Sequence, residues 1–199
     1  MPEKTTIRAF LALDPPTDVL RRISGIQGAL KRDIRGSISW VRPEGLHLTL
    51  KFFGDISTDQ VTVISNAVAA HTAGARPFNL EVKGFGVFPG LQRPRVLWIG
   101  IGGEVGRLLN LQKAIDLGLE ACGFPGEERP FRAHLTLARI KSRQGLTGIE
   151  QALAGQEEAD AGQFAAEGLT LFRSELTPHG AIYTVLDHFP FQGDSRSGN

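Results

Sequence analysis

The apolar and polar positions of the first fifty residues predict a strand, a helix and two further strands. Residues 7–13, which include an apolar run from 9 to 13, predict a strand. Apolar residues between positions 20 and 30 then recur at helical spacing, after a Pro-Pro pair that is well tolerated at a helix start. Residues 39–42 and 46–53 predict two strands around a Pro-Glu-Gly turn.

The rest of the chain predicts helices that begin at capping boxes, and several strands. A Ser-x-x-Gln box begins at Ser57 and a Thr-x-x-Glu box begins at Thr147, so a helix is expected after each. A third helix is predicted from 105 to 119, before a glycine at 123. Strands are predicted at 78–88, 95–101, 131–140, 164–172 and 181–189. Residues 193–199 are polar, and we expect a disordered tail.

One four-residue segment, His-Leu-Thr-Leu, occurs twice. The copies begin at His47 and His134, which are 87 residues apart. When the first half of the sequence is shifted by about this number of positions, the first helix aligns approximately with the 105–119 helix, and one capping box aligns with the other. Residues 83–88 then align approximately with residues 167–172, and residues 96–99 with residues 182–185. Each half then contains a helix, a histidine-bearing strand, a helix and two strands, which predicts an internal duplication.

The order of these elements indicates the fold class. Strands come in adjacent pairs between helices, which favours an α+β fold with antiparallel pairing over an alternating parallel sheet. We therefore predict one bilobal domain over residues 1–192. Its two pseudo-symmetric lobes are each an antiparallel sheet backed by helices, with a central cleft between them.

Composition restricts the class of protein without choosing one. Of the 199 residues, 41% are hydrophobic, which suffices for a core, and the net charge of +1 does not indicate a nucleic-acid partner. Cys122 is the single cysteine and fits a reducing compartment. No apolar run is long enough to span a bilayer, and the first residues lack the features of a secretory signal. We expect a cytoplasmic monomer without a membrane partner or an obligatory protein partner.

The repeated segment carries the candidate chemistry. Residues i and i+2 of a strand lie on one face, so His47 and Thr49 project together, as do His134 and Thr136. A pseudo-twofold axis brings both pairs into one cleft. There one imidazole can take a proton from water while the other gives a proton to a leaving ribose oxygen, and the hydroxyls can donate to phosphate oxygens. This set favours metal-independent attack on a strained cyclic phosphate.

A metal site is the next interpretation. Zinc sites normally use three or four His, Cys or carboxylate ligands, whereas each repeat offers one His and no Asp or Glu on that strand face. The remaining histidines lie outside the repeat: His71 is interpreted as a helix-end residue, His179 as a turn residue and His188 as a strand-end surface residue. We therefore predict no metal and no cofactor.

The residues around both histidines resemble the two-histidine (2H) phosphoesterase superfamily. The similar segments are 8–13 (RAFLAL), 40–54 (WVRPEGLHLTLKFFG), 96–100 (VLWIG) and 129–139 (RPFRAHLTLAR). Within the superfamily the chain is similar to the LigT-like RNA 2′,3′-cyclic phosphodiesterases, once described as 2′-5′ RNA ligases. Ala133 departs from the proline that many relatives carry there; we expect this to affect rigidity more than chemistry.

The resemblance implies a bilobal antiparallel fold and metal-independent hydrolysis of a 2′,3′-cyclic phosphate to a 2′-phosphate. It implies that His47 and His134 are the catalytic pair and that Thr49 and Thr136 bind the phosphate. The family's arginine, five residues after the second histidine, maps to Arg139.

Side-chain alternation and the resemblance disagree about the arginine. Strict alternation places Arg132 on the face of His134 and Arg139 on the opposite face, unless a bulge or the strand end brings Arg139 round. Both arginines therefore remain candidates, with Arg139 favoured. Lys51 shares the face of His47 and either adds positive potential or is solvated.

Three aromatic residues near the motifs have two interpretations. Phe10, Trp40 and Phe53 are expected in the core, and stacking on a base is the alternative.

The predicted function is hydrolysis of RNA 2′,3′-cyclic phosphate ends or small cyclic nucleotides. Two alternatives remain: ATP-independent 2′-5′ RNA end joining, since no motif for binding a nucleoside triphosphate is present, and a non-catalytic RNA-end binding module. The second is disfavoured because phosphate binding alone would be served as well by Arg or Lys as by histidine. The sequence leaves open which histidine is the acid and which the base.

Overall fold

The computed structural model describes residues 6–127, 129–154, 159–177 and 180–192. The predicted tail at 193–199 and the predicted turn residue His179 lie outside these ranges. The strands are β1 Thr6–Leu13, β2 Ile38–Trp40, β3 Leu48–Ser57, β4 Phe78–Phe88, β5 Val96–Gly103, β6 His134–Ile140, β7 Asp160–Ala166, β8 Gly168–Thr177 and β9 Gly180–Pro190. The helices are α1 Thr17–Asp33, α2 Thr58–Thr72, α3 Val105–Ala121 and α4 Ile149–Ala154, with a 3-10 helix at Pro43–Gly45.

The strands form two antiparallel sheets, which confirms the predicted α+β fold. The first sheet has the order β3-β1-β8-β9 and the second has the order β2-β6-β5-β4-β7. In each sheet the strand of one His-Leu-Thr-Leu segment pairs with the strand that precedes a long helix: β3 with β1, and β6 with β5.

The halves of the sequence do not correspond to the two sheets. β4 and β5, from the first half, pair with β6 and β7 in the second sheet, whereas β8 and β9 join β1 in the first sheet. The sheet positions also contradict the alignment of 96–99 with 182–185, because β5 borders a histidine strand whereas β9 is an outer strand. Pairing between distant strands is not encoded in local periodicity, so the sequence pattern missed this exchange.

Helices cover one face of each sheet and enclose the main core. α1 packs against β7 and α4, on the second sheet, while α2 packs against α3, β3 and β9, on the first. Alternate residues of β1, such as Leu11 and Leu13, are buried in this core. On the opposite face of the first sheet, Phe10, Ala12 and Phe172 form a separate small cluster. No helix within the described ranges is long and apolar enough to cross a membrane.

One of the two predicted capping boxes is confirmed. Ser57 Oγ accepts from the Gln60 main-chain N–H over 3.4 Å, and Gln60 Oε1 accepts from the Ser57 N–H over 2.8 Å. α4 instead begins at Ile149, and Thr147 pairs with Arg35 through main-chain hydrogen bonds of 3.0 and 3.1 Å. The predicted box at Thr147 is therefore wrong, since that residue is held in a β-bridge.

Candidate active site

The cleft between the sheets contains two adjoining cavities of about 590 and 210 Å³. The larger is lined by all six residues that the sequence analysis selected: His47, Thr49, Arg132, His134, Thr136 and Arg139. Four of them, His47, Thr49, Thr136 and Arg139, also line the smaller cavity. The two cavities therefore meet at His47, both threonines and Arg139.

His47 is held by a carboxylate that the sequence analysis did not select. Its Nδ1 lies 2.7 Å from Asp14 Oδ1. The register of β1 and β3 explains this contact: Leu13 pairs with Leu48, so Asp14 and His47 face each other one step beyond. Asp14 lies between the predicted strand at 7–13 and the Pro-Pro pair at the helix start, a position that indicates only a turn.

Asp14 is fixed in turn by two further polar side chains. Thr170 on β8 donates from Oγ1 to Asp14 Oδ2 over 2.7 Å, and His188 Nδ1 lies 3.2 Å from the same hydroxyl. Both carboxylate oxygens of Asp14 thus have partners, which sets the orientation of the His47 ring. His188 was predicted to be a strand-end surface residue; its ring is exposed but reaches this network.

His47 Nε2 has no hydrogen-bond partner among the described residues, although it is buried. The His47 side chain is only 11% exposed, and its ring contacts those of Phe10, Phe172 and Tyr183 at centroid distances of 5.7, 4.7 and 5.1 Å. A buried unpaired nitrogen is unfavourable unless something else pairs with it. Because His47 lines both cavities, the partner that this nitrogen lacks must reach it from the cavities.

His134 has a different environment. Its Nδ1 lies 2.6 Å from the Arg132 main-chain carbonyl, which can only accept, so this nitrogen carries the proton. Burial lowers the pKa of His134; the hydrogen bond to Arg132 opposes this in part, and the positive charge of Arg139 lowers the pKa further. The neutral ring, with its proton on Nδ1, is therefore favoured.

The two histidines differ because different residues face them on the neighbouring strand. His134 pairs with Gly100 across β5 and β6, at the position that corresponds to Asp14 opposite His47. A Cβ added at Gly100 would lie 2.8 Å from the Lys83 carbonyl oxygen. No side chain fits there without displacing the backbone, so the second sheet cannot offer a carboxylate from this position.

Aromatic rings hold His134 on its other side. Phe88 meets the His134 ring edge-on at 5.0 Å, and Trp98 lies at 6.3 Å. Trp98 lies across the backbone of Gly86, where an added Cβ would be 2.0 Å from the indole ring. Gly86 thus makes the space that allows Trp98 to pack beside the histidine.

A β-bulge follows the threonine in each histidine strand. The pairing of β3 with β1 leaves out Leu50, and the pairing of β6 with β5 leaves out Leu137. A bulge shifts the alternation of side chains by one residue. The residue five positions after each histidine therefore faces the cleft, and these residues, Phe52 and Arg139, line both cavities. Arg139 thus reaches the cleft through a bulge, one of the two routes that the sequence analysis left open.

The other candidates near the motifs have varied positions. Arg132 lines the larger cavity and lies over the Phe88 ring at 5.7 Å. Lys51 is neither solvated nor a source of free positive charge: its buried ammonium pairs with Asp116 and donates to the Pro125 carbonyl over 2.7 Å. The bulge at Leu50 explains this correction, because it turns Lys51 towards α3.

Four aromatic residues border the motifs. Phe10 is buried beneath His47, and Phe53 packs edge-on against Phe124 at 5.7 Å, so both contribute to packing. Trp40 is partly buried against the core, with Lys31 5.5 Å from its ring. Phe52 was not selected from the sequence but is 62% exposed in the cleft. Its signal was its spacing from His47, which matches that of Arg139 from His134.

Tyr183 on β9 is another residue that the sequence analysis missed. It lines the smaller cavity with His47, Thr136 and Arg139. Burial raises the pKa of its hydroxyl, and the charge of Arg139 opposes this rise. The phenol therefore stays protonated at neutral pH and can donate a hydrogen bond.

Metal-ligating side chains do not cluster in the part of the chain that the structure describes: no three His, Cys, Asp or Glu residues there are close enough to share an ion. His71 lies at the end of α2, as predicted, with Nδ1 2.8 Å from the Ala67 carbonyl.

A paired His-x-Thr site between two antiparallel sheets is the arrangement of a two-histidine phosphoesterase. The family model described as LigT like Phosphoesterase matches residues 13–98 and 100–183. The chain belongs to this family. The matched segments begin at residues 13 and 100, the same 87-residue offset that separates His47 and His134.

Relatives that match over almost their whole length carry one name. A Methanothermobacter thermautotrophicus protein named RNA 2′,3′-cyclic phosphodiesterase is 34% identical over 183 residues, which cover 92% of this chain and 98% of the relative. An Aquifex aeolicus protein of the same name is 32% identical over 188 residues, covering 94% and 98%.

Solved structures share the fold. A Thermus thermophilus crystal structure matches with a TM-score of 0.76 at 29% identity, covering 94% of this chain and all (100%) of that one. The crystal structure of Escherichia coli LigT complexed with 3′-AMP matches with a TM-score of 0.73 at 22% identity, covering 94% and 99%. The latter likeness supports the fold alone.

Proposed function

We infer that this protein hydrolyses 2′,3′-cyclic phosphates at RNA ends, leaving a 2′-phosphate, by metal-independent acid–base catalysis with His47 and His134. The relatives named RNA 2′,3′-cyclic phosphodiesterase support the substrate class. The observation that carries the mechanism is the pairing of His47 with Asp14 while His134 faces Gly100.

His134 is the general base in this proposal. Its pKa is lowered, so the ring is neutral near pH 7, and its Nδ1 proton is held by the Arg132 carbonyl. Its Nε2 lone pair is then available for a proton from the attacking water. The water oxygen forms a bond to phosphorus as that proton moves to His134.

His47 is the general acid. A carboxylate beside an imidazole stabilises the positively charged ring, and Asp14 holds Nδ1 on the side away from the free Nε2. As the bond between phosphorus and O3′ breaks, the Nε2 proton passes to O3′. The products are a ribose with a free 3′-hydroxyl and a 2′-phosphate. Exchange of protons with solvent then resets both histidines.

Three side chains are suited to hold the phosphate between the histidines. Thr49, Thr136 and Arg139 line both cavities and therefore lie where the cavities meet. Their hydroxyl and guanidinium groups can donate to the non-bridging oxygens, where negative charge grows in the transition state. Donors that are fixed in place before the reaction stabilise this charge without reorganisation.

Phosphorus NMR of the product tests this function. A short RNA that ends in a 2′,3′-cyclic phosphate is incubated in EDTA with the wild type, His47→Ala or His134→Ala. The wild type is expected to give a 2′-phosphate, and each variant is expected to lose about 10²–10⁴-fold in rate. A 3′-phosphate product, inhibition by EDTA or full activity of either variant would contradict the proposal.

A further inference from the structure

The smaller cavity runs along the first sheet from the candidate phosphate site towards Arg8. Arg8 and Phe10 are alternate residues of β1 and share the face of the sheet that lies under His47. Across β1 and β8, Arg8 pairs with Ser174 and Phe10 pairs with Phe172. Both Arg8 and Ser174 line this cavity.

The spacing along β1 puts the Arg8 side chain at the far end of the cavity from His47. Strand residues rise about 3.3 Å each, so Arg8 lies about 7 Å further along the face than Phe10. Phe10 is in ring contact with His47 at 5.7 Å. Arg8 is exposed, and its long side chain can reach back along the cavity. Asp55, which pairs with Arg8 on β3, is the carboxylate that competes for it.

The cavity volumes limit what each can hold. About 590 Å³ is room for a nucleoside, and its lining includes the apolar residues Phe88, Pro89, Pro130 and Phe131. About 210 Å³ is sufficient for a phosphate group, and this cavity has Arg8 and Ser174 in its lining. In a ribose with a 2′,3′-cyclic phosphate, the base is attached beside C2′ and the 5′ linkage extends from beside C3′. A substrate whose base enters the larger cavity therefore directs its 5′ linkage the other way.

We propose that Arg8, with Ser174, binds the phosphate on the 5′ side of the terminal nucleotide. This proposal rests on the proposed function for the position of the cyclic phosphate. A guanidinium forms two parallel hydrogen bonds with a phosphate, and the serine hydroxyl supplies a third donor. Such a subsite favours RNA ends and 5′-phosphorylated nucleotides over cyclic nucleotides with a free 5′-hydroxyl.

Binding of two small molecules that differ by one phosphate tests the subsite without turnover. Adenosine 2′-phosphate and adenosine 2′,5′-bisphosphate are titrated calorimetrically into the wild type, Arg8→Ala, Arg8→Lys and Arg129→Ala. The wild type is expected to prefer the bisphosphate about tenfold. Arg8→Ala should abolish this preference, and Arg8→Lys should keep part of it, because one charge remains without the planar fork.

Arg129→Ala is the matched control, since it removes an arginine from the larger cavity. It should keep the wild-type preference. Equal affinity of the wild type for both compounds, or a preference lost in Arg129→Ala but kept in Arg8→Ala, would overturn the proposal. If Arg8→Ala fails to fold, Arg8→Gln replaces it, with the same expected loss.

Turnover of adenosine 2′,3′-cyclic phosphate separates the two proposals. In one outcome the wild type hydrolyses neither this compound nor an RNA that ends in it, yet prefers the bisphosphate in an Arg8-dependent way. This outcome supports the subsite and contradicts the proposed function. A wild type that hydrolyses both but shows no preference supports the function and overturns the subsite.

Discussion

Gln27 Nε2 donates to the Leu137 main-chain carbonyl over 2.9 Å, although the two residues lie on different elements 110 positions apart. Gln27 is buried on α1, and the same nitrogen donates to the Val41 carbonyl over 3.0 Å. Leu137 is the extra residue of the β-bulge in β6. The glutamine therefore anchors the bulge that brings Arg139 into the cleft.

Replacement of Gln27 by leucine should disturb this bulge. The change keeps a side chain of similar size but removes both donors, so the free energy of unfolding should fall by about 1–3 kcal/mol. We also expect a several-fold rise in KM, because Arg139 loses its fixed position against the phosphate. Urea denaturation and steady-state kinetics measure the two effects.

Gln112→Leu is the control for that variant. Gln112 on α3 makes the equivalent contact with the bulged Leu50 carbonyl, but over 3.5 Å, so its removal should cost less stability. An unchanged KM and stability in Gln27→Leu would show that the bulge does not depend on the glutamine.

Asp14→Asn tests the carboxylate beside His47. The amide keeps the size of the side chain but removes the charge that stabilises a protonated ring, so kcat should fall about 10²–10⁴-fold. Asp18→Asn, on the exposed surface of α1, removes only the contact of 2.7 Å with Arg22 and should leave kcat unchanged. Equal kcat values for Asp14→Asn and the wild type would show that Asp14 does not contribute to catalysis.

The fall of kcat/KM at low pH should reflect the protonation of His134. A general base must be neutral, so activity is present above the pKa of His134 and is lost as the pH falls through it. Burial and Arg139 lower this pKa, so the midpoint should lie below 6.5. Arg139→Gln removes one cause of the lowering and should move the midpoint upward. A midpoint above 6.5, or one that moves downward in this variant, would contradict the assignment.

Gly86→Ala should damage both stability and catalysis through Trp98. The added methyl group meets the indole at 2.0 Å, so the ring must move, and it moves beside His134. A loss of about 1–3 kcal/mol in the free energy of unfolding is expected, together with a lower kcat. Gly90→Ala is the matched control, because its Cβ would meet nothing within 4 Å. Equal melting temperatures for the two variants would contradict this role.

Local patterns predicted those parts of the molecule that local forces decide. Alternation put each histidine and its threonine on one face, and the hydrogen bonds of the Ser57–Gln60 box form as its residues predicted. The exchange of β8 and β9 into the first sheet depends on pairing between distant strands, which leaves no periodic signal. The bulge at Leu50 was not predicted, and the bulge at Leu137 was one of two routes left open for Arg139, because a bulge breaks the alternation used to predict faces.

The contact between Asp14 and His47 also could not be predicted from local sequence. Asp14 ends a strand in an Asp-Pro-Pro segment, which is a common turn composition. Only the register of β1 with β3 brings it to His47, and that register depends on the whole sheet. The repeated segment supplied the histidines and threonines and the resemblance to a family implied their roles, but the difference between Asp14 and Gly100 required the structure.

The most direct test of this account replaces the leaving oxygen. In a cyclic phosphate with sulfur at the 3′ position, the leaving thiolate needs no proton, because thiols are far more acidic than alcohols (the thiol of cysteine has a pKa of about 8.5). His47→Ala and His134→Ala are compared on the oxygen and sulfur substrates by single-turnover kinetics. The account predicts that sulfur restores most of the rate of His47→Ala and none of that of His134→Ala. Equal losses on both substrates, or rescue of His134→Ala instead, would contradict the assignment of His47 as the acid.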